Sequence, residues 1–127
     1  ITIIDDSYNA NPVSMKMSLA HLRSMKKNRR RIALLGEMLE LGTAAEAAHQ
    51  EVGRHLEGID QVYTFGLGFS ESSFFRQGHF QSVDEFDFEN FVDRLEPGDS
   101  VLVKGSNKIF WKHSFVERLS GLIDHRC

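Results

Sequence analysis

Cysteine is almost missing from this sequence: one residue in 127, Cys127 at the very end. A lone thiol closes no internal disulfide, which excludes a disulfide-stapled secreted scaffold and favours a reducing cytoplasm as the setting. Cys127 itself reads as inert. Long apolar runs are equally absent, and nothing approaches the ~20 residues that a membrane-spanning helix needs. No basic segment followed by an apolar core opens the chain as a secretory signal would. Excess positive charge is lacking too, with a formal net charge of −3 and a pI near 6.1. Neutralising phosphates requires a basic face, so nucleic acid is not the expected partner. The one basic run, Lys26-Lys27-Asn28-Arg29-Arg30-Arg31, follows the first predicted helix. There it complements the helix dipole and reads as a solvated turn.

Several catalytic signatures are missing as well. There is no Gly-x-x-x-x-Gly-Lys-Ser/Thr loop, so the chain has no such route to the β and γ phosphates and magnesium of a nucleotide. The six histidines show no ligand spacing: His49 and His55 lie six apart in one predicted helix, and His21, His79, His113 and His125 are scattered. Each reads as surface or packing, and no metal ligand set emerges. With one cysteine, no Gly-x-Ser-x-Gly and no histidine near Ser106, nucleophilic catalysis has no visible constellation.

What is present is an alternation of strand and helix. At 127 residues the chain reads as a single domain, long enough to bury a core unaided. Ile1 to Ile4 suits a buried strand, and Asn11-Pro12 a helix start, with Asn as cap and Pro at the first helical position. Met15, Leu19, Leu22 and Met25 or Lys26 mark one face of a helix over 12 to about 27, whose methionines read as core. Arg31 to Gly36 is the second strand. Thr43-Ala44-Ala45-Glu46 matches a capping box opening a helix to about Gly58. Val62 to Gly66 is the third strand, 70–76 a short helix and His79 to Val83 a short strand. A second capping box, Ser82 to Glu85, opens a helix reaching Leu95; its acidic residues Asp84, Glu85, Asp87 and Glu89 suit the helix dipole rather than a metal. Phe86, Phe88 and Phe91 read as packing. After the turn Pro97-Gly98-Asp99 come a last strand, Ser100 to Lys104, the loop Gly105-Ser106-Asn107, and a final helix carrying Ile109, Phe110, Phe115, Val116, Leu119, Leu122 and Ile123. The fold class is therefore α/β, a mostly parallel sheet with helices on both faces.

In such a sheet the loops at 5–12, 36–43 and 104–107 leave one edge, the edge where ligands bind. They bring Asp5, Asp6, Ser7, Tyr8, Asn9, Asn11, Glu37, Glu40, Lys104, Ser106 and Asn107 into one set. Carboxylates suit ribose hydroxyls or a metal, and a lysine beside a helix start suits phosphate or carboxylate. The alternative reading is that Asp6, Ser7 and Asn11 only cap and turn. A phospho-acceptor receiver domain would share the length, the alternation, the acidic pair after the first strand and a lysine after the last. It would also need an Asp ending the third strand, where this chain has Tyr63-Thr64-Phe65-Gly66. A stand-alone nucleotide-binding module is a third reading.

Three motifs carry a resemblance: Asp5-Asp6-Ser7-Tyr8-Asn9-Ala10-Asn11-Pro12, then Leu35-Gly36-Glu37-Met38-Leu39-Glu40-Leu41-Gly42 followed by His49, then Leu102-Val103-Lys104-Gly105-Ser106. In order and spacing they resemble the C-terminal domain of the Mur ligases, closest to the members that add D-alanyl-D-alanine to the UDP-N-acetylmuramoyl-tripeptide. The resemblance implies a Rossmann-like third domain, residues 1–127, of a three-domain cytoplasmic enzyme of peptidoglycan synthesis. An N-terminal domain would hold the UDP-sugar and a central ATPase domain the phosphate loop, ATP and Mg2+. A chain opening inside a strand and lacking a phosphate loop agrees with an excised domain. By the same resemblance Asp6 bonds the ATP ribose, and Tyr8 and Asn11 shape that loop. Lys104, Ser106 and Asn107 meet the incoming dipeptide, whose carboxylate would sit at the start of the last helix. Catalytic groups are expected to lie outside this domain, and the isolated domain is expected to be inactive. The family often has a basic residue after the serine; here it is Asn107, leaving Lys108 or Lys104 to supply the charge or the contact weaker. Glu37 and His49 belong to the signature with an interdomain or capping role.

Overall fold

In a computed structural model, residues 1–25, 29–111 and 114–126 are described. Five parallel strands form one sheet in the order β1-β5-β2-β3-β4: β1 (Thr2–Asp6), β2 (Arg31–Gly36), β3 (Gln61–Phe65), β4 (Gly78–Phe80) and β5 (Ser100–Lys104). The helices are α1 (Pro12–Ser24), α2 (Ala45–Glu51), α3 (Phe88–Asp93), α4 (Asn107–Phe110) and α5 (Phe115–Arg126).

The central strands β2 and β5 are apolar on both faces, as burial on both sides demands. Alternation divides them between two cores. Ala33, Leu35 and Leu102 meet Met15, Leu19 and Leu22 of α1 on one face. Ile32, Leu34, Val101 and Val103 meet Phe88, Phe91, Phe110, Phe115 and Leu119 on the other. The chain thus leaves β1 and β2 toward one face and β5, lying between them, toward the opposite face. Such a reversal opens a crevice at the carboxyl ends of the strands.

Gly36 ends β2 and Gly105 follows β5 at this edge of the sheet. A Cβ on Gly105 would stand 2.9 Å from Gly36 Cα and 2.6 Å from Phe110 Cε2. Backbone cannot yield there as a flexible side chain would, so Gly105→Ala is expected to cost about 2 kcal/mol of stability, read as a lower urea midpoint with an unchanged m-value.

Local predictions fare unevenly. Asn11 caps α1, its side chain accepting from Ser14 N at 2.8 Å, and Ser14 Oγ in turn accepts from Asn11 N at 3.0 Å. The Thr43–Glu46 capping box does not form: α2 is entered through a 3₁₀ turn, Gly42–Ala44, without a side-chain cap, and gives way at Val52–His55 to another. The Ser82 box is absent too. Glu85 accepts instead from Gln81 N at 2.7 Å, and the helix starts later, capped by Asp87 onto Asn90 N at 3.0 Å. Residues 70–76 are not helical; a 3₁₀ turn at Leu67–Phe69 precedes them, and the short strand lies at Gly78–Phe80 rather than His79 to Val83. The final helix is two helices, with Ser114 at φ 50° where α5 begins. β1 is an exposed-edge strand rather than a buried one, and Met17, expected in the core, is 65% exposed. Residues 26–28 of the basic run, His113 and Cys127 lie outside the described residues.

Candidate functional site

The sheet register puts Asp6 directly opposite Lys104, at the ends of β1 and β5. Both side chains therefore project on the α1 face, and Lys104 Nζ lies 3.2 Å from Asp6 Oδ2. The lysine is sealed in, with its side chain 3% exposed, whereas Asp6 is 44% exposed. Ser18 of α1 donates its hydroxyl to the same Asp6 oxygen. A carboxylate so held keeps its orientation while its other edge faces solvent.

The neighbouring residue alternates to the opposite face. Asp5 Oδ1 accepts from Ser7 N at 3.2 Å and from Ser7 Oγ at 2.5 Å, closing a tight turn. The indole N–H of Trp111 donates to Ser7 Oγ at 3.2 Å. Beside this turn Tyr8 stands edge-on to Trp111 with ring centroids 5.2 Å apart, the two residues 64% and 54% exposed. Asn107 N donates to Tyr8 O at 3.0 Å, tying the loop after β1 to the start of α4. Between them lies a cleft of about 180 Å³ lined by Tyr8, Asn9, Leu39, Glu40, Asn107 and Lys108, with Ser106 and Ala10 beneath.

The three loops expected to share an edge therefore do so. Tyr8, Ser106 and Asn107 meet at the cleft, while Lys104 lies under Asp6 instead of in it. The amide oxygen of Asn11 is taken up by the cap, so this residue orders the loop. Ser106 Oγ accepts from Lys108 N at 3.2 Å at the start of a single-turn helix, a shorter element than the expected last helix. Trp111 was not singled out from the sequence; its signal was a lone, amphipathic tryptophan just past the last strand-to-helix loop. β3 ends in the buried Phe65, where a receiver domain would need its acceptor carboxylate. Among the described residues no three His, Cys, Asp or Glu side chains are placed to hold a metal ion, and no helix is long and apolar enough to cross a membrane.

Comparison with known proteins places this geometry. A family model described as Mur ligase, glutamate ligase domain matches residues 1–107. The UDP-N-acetylmuramoyl-tripeptide–D-alanyl-D-alanine ligase of Bacillus subtilis is 34% identical over 119 residues, 84% of this chain and 25% of that protein. The Treponema pallidum ligase of the same name is 34% identical over 135 residues, 97% of this chain and 28% of that protein. The structure of the MurF ligase from Thermotoga maritima in complex with ADP superposes with a TM-score of 0.80 at 27% identity, over 98% of this chain and 29% of that one. The chain thus spans about a quarter of the length of the curated relatives it matches.

Proposed function

Because the chain belongs to the Mur ligase, glutamate ligase domain family, we propose that it is the C-terminal domain of an ATP-dependent ligase joining D-alanyl-D-alanine to UDP-N-acetylmuramoyl-tripeptide in the cytoplasm. The main support within the fold is the contact of Asp6 with Lys104 beside the Tyr8–Asn107 cleft, at the strand ends where such sheets bind ligands. In the reaction, phosphoryl transfer from ATP activates the tripeptide carboxyl, the dipeptide amine attacks the acyl phosphate, and phosphate leaves. By the family resemblance the metal and the phosphates would be held by the central domain, and the roles proposed for the residues of this chain do not involve them.

This chain contributes positioning. Asp6, oriented by Lys104 and Ser18, accepts hydrogen bonds from the ribose hydroxyls. Tyr8, with Trp111 behind it, forms a ledge at the nucleotide edge, and Asn11 holds the loop by capping α1. Ser106 and Asn107 meet the dipeptide, with Lys108 at the cleft wall supplying positive charge for its carboxylate. Closure over the central domain brings the amine to the acyl phosphate, an advantage that needs alignment rather than new chemical groups.

The decisive comparison is ATP-dependent phosphate release by the full ligase and by this domain alone, each titrated with D-alanyl-D-alanine. Turnover is expected only in the full enzyme, and turnover by the domain would defeat the division of labour. In the full enzyme Ser106→Ala is expected to raise KM for the dipeptide roughly five-fold, the value of one neutral hydrogen bond, with KM for ATP unchanged.

A further inference from the structure

Glu37 and His49 are the signature residues that the proposed reaction leaves without a task. His49, on α2, is 1% exposed and so cannot reach a ligand. Its Nδ1 lies 2.6 Å from Ala45 O, a bond in which the ring must donate. Its Nε2 accepts from Met38 N at 2.9 Å. Together these bonds require a neutral imidazole with its proton on Nδ1. Phe69 meets the ring edge-on at 4.7 Å.

Glu37, the residue before Met38, is anchored to the end of β3 and the turn that follows it. Its N–H donates to Phe65 O at 2.9 Å, and its Oε2 accepts from Gly68 N at 2.6 Å. The side chain lies across Gly66 and Gly68, where a Cβ would stand 2.6 Å from Glu37 Cδ and 2.5 Å from His49 Nε2 respectively. The next residues, Leu39 and Glu40, form one wall of the cleft. Glu40 adopts φ 63°, a left-handed conformation that a non-glycine residue holds only when its surroundings over-determine it.

We infer that Glu37 and His49 are positioning residues: a clamp across Gly68, half-buried at Glu37 and fully buried at His49, that fixes Met38-Leu39-Glu40 as the cleft wall facing Tyr8 and Asn107. The role rests on the ligase reading for its functional consequence and on this chain alone for its geometry. Loss of the clamp lets the wall drift, weakening capture of the dipeptide without touching the reacting atoms.

Two measurements test it. In the unmodified protein, nitrogen-15 NMR should show the His49 proton on Nδ1, and the Met38 amide should exchange with solvent more slowly than those of Leu39 and Glu40. A proton on Nε2 overturns the clamp. In the full ligase, His49→Leu and Gly68→Ala should each raise KM for D-alanyl-D-alanine roughly ten-fold, as a small misplacement does, with kcat changed less than about two-fold. His49→Gln, whose side-chain carbonyl replaces Nε2 as acceptor, should restore most of the loss. Unchanged KM in a folded His49→Leu enzyme, or a fall in kcat at constant KM, overturns the proposal. If His49→Leu does not fold, Gly68→Ala carries the test, because it displaces the clamp with both side chains intact. An unmodified enzyme that does not use D-alanyl-D-alanine would defeat the ligase reading instead, and the tautomer and exchange data would then judge the clamp.

Discussion

Asp99→Ala is expected to lower the free energy of unfolding by about 3–5 kcal/mol, the cost of removing one partner from a buried ion pair. The Asp99 side chain is wholly inaccessible and forms a salt bridge to Arg30 Nη2 at 2.6 Å. The same carboxylate accepts from Arg30 Nε at 3.1 Å, Arg30 N at 3.3 Å and Glu96 N at 2.9 Å. Its backbone carbonyl accepts from Thr2 N at 2.9 Å. One residue therefore ties together the amino-terminal ends of β1, β5 and β2, at the rim opposite the site. Alanine would leave the Arg30 and Glu96 backbone N–H groups without their side-chain acceptor and the arginine head with only Arg94 O at 2.7 Å and the more distant Glu96 carboxylate. Urea denaturation at neutral pH measures the loss.

The same carboxylate makes the fold sensitive to acid. Burial alone would push the Asp99 carboxyl up, but the Arg30 hydrogen bonds, the Glu96 and Arg30 amides and the Arg30 charge outweigh it and hold the group below its ordinary value of 3.8. A carboxyl with a depressed folded value stabilises fully above the unfolded value, and that contribution is lost as pH falls through the folded one. His79 acts in the same direction at higher pH. Burial, aided by Arg76, lowers it from 6.5, so the folded state favours the neutral ring and loses stability as pH falls below that value. Unfolding free energy is thus expected to decline in two stages on acidification. The lower stage should vanish in Asp99→Asn, and the upper one should vanish in His79→Gln.

Lys104→Met in the full ligase is expected to raise KM for ATP between ten-fold and 100-fold, about 1.5–3 kcal/mol, the value of a hydrogen bond to a charged group. The lysine is sealed beneath Asp6 and bonded to its Oδ2. Removing it frees the carboxylate to turn, leaving the Ser18 hydroxyl to hold it among the described side chains. The dipeptide KM should change far less, because Lys104 does not line the cleft. Asp6→Asn should give the same ATP defect, and the double variant should be little worse than either single one, since the two side chains act as a unit. Steady-state kinetics on the four enzymes checks this, and additive effects would separate the two residues.

What was legible in the sequence was whatever depends on residues near one another along the chain. The parallel α/β class follows from apolar runs alternating with helical periodicity, and the start of α1 from Asn11-Pro12, because a cap bonds only its own first turn. The shared rim of Asp6, Ser106 and Asn107 was legible too, since every parallel strand delivers its carboxyl end to one edge. The capping box at Ser82 failed because the same residue types found better partners, Glu85 bonding Gln81 N and Asp87 taking over the cap, whereas at Thr43 the chain enters α2 through an uncapped 3₁₀ turn. Tertiary structure alone decided that β5 lies between β1 and β2, and this placement pairs Lys104 with Asp6 across 98 positions of chain. It also decided that Glu37 and His49 meet at Gly68 and that Arg30 finds Asp99. Each of these contacts joins segments brought together only when the two hydrophobic cores close around the sheet.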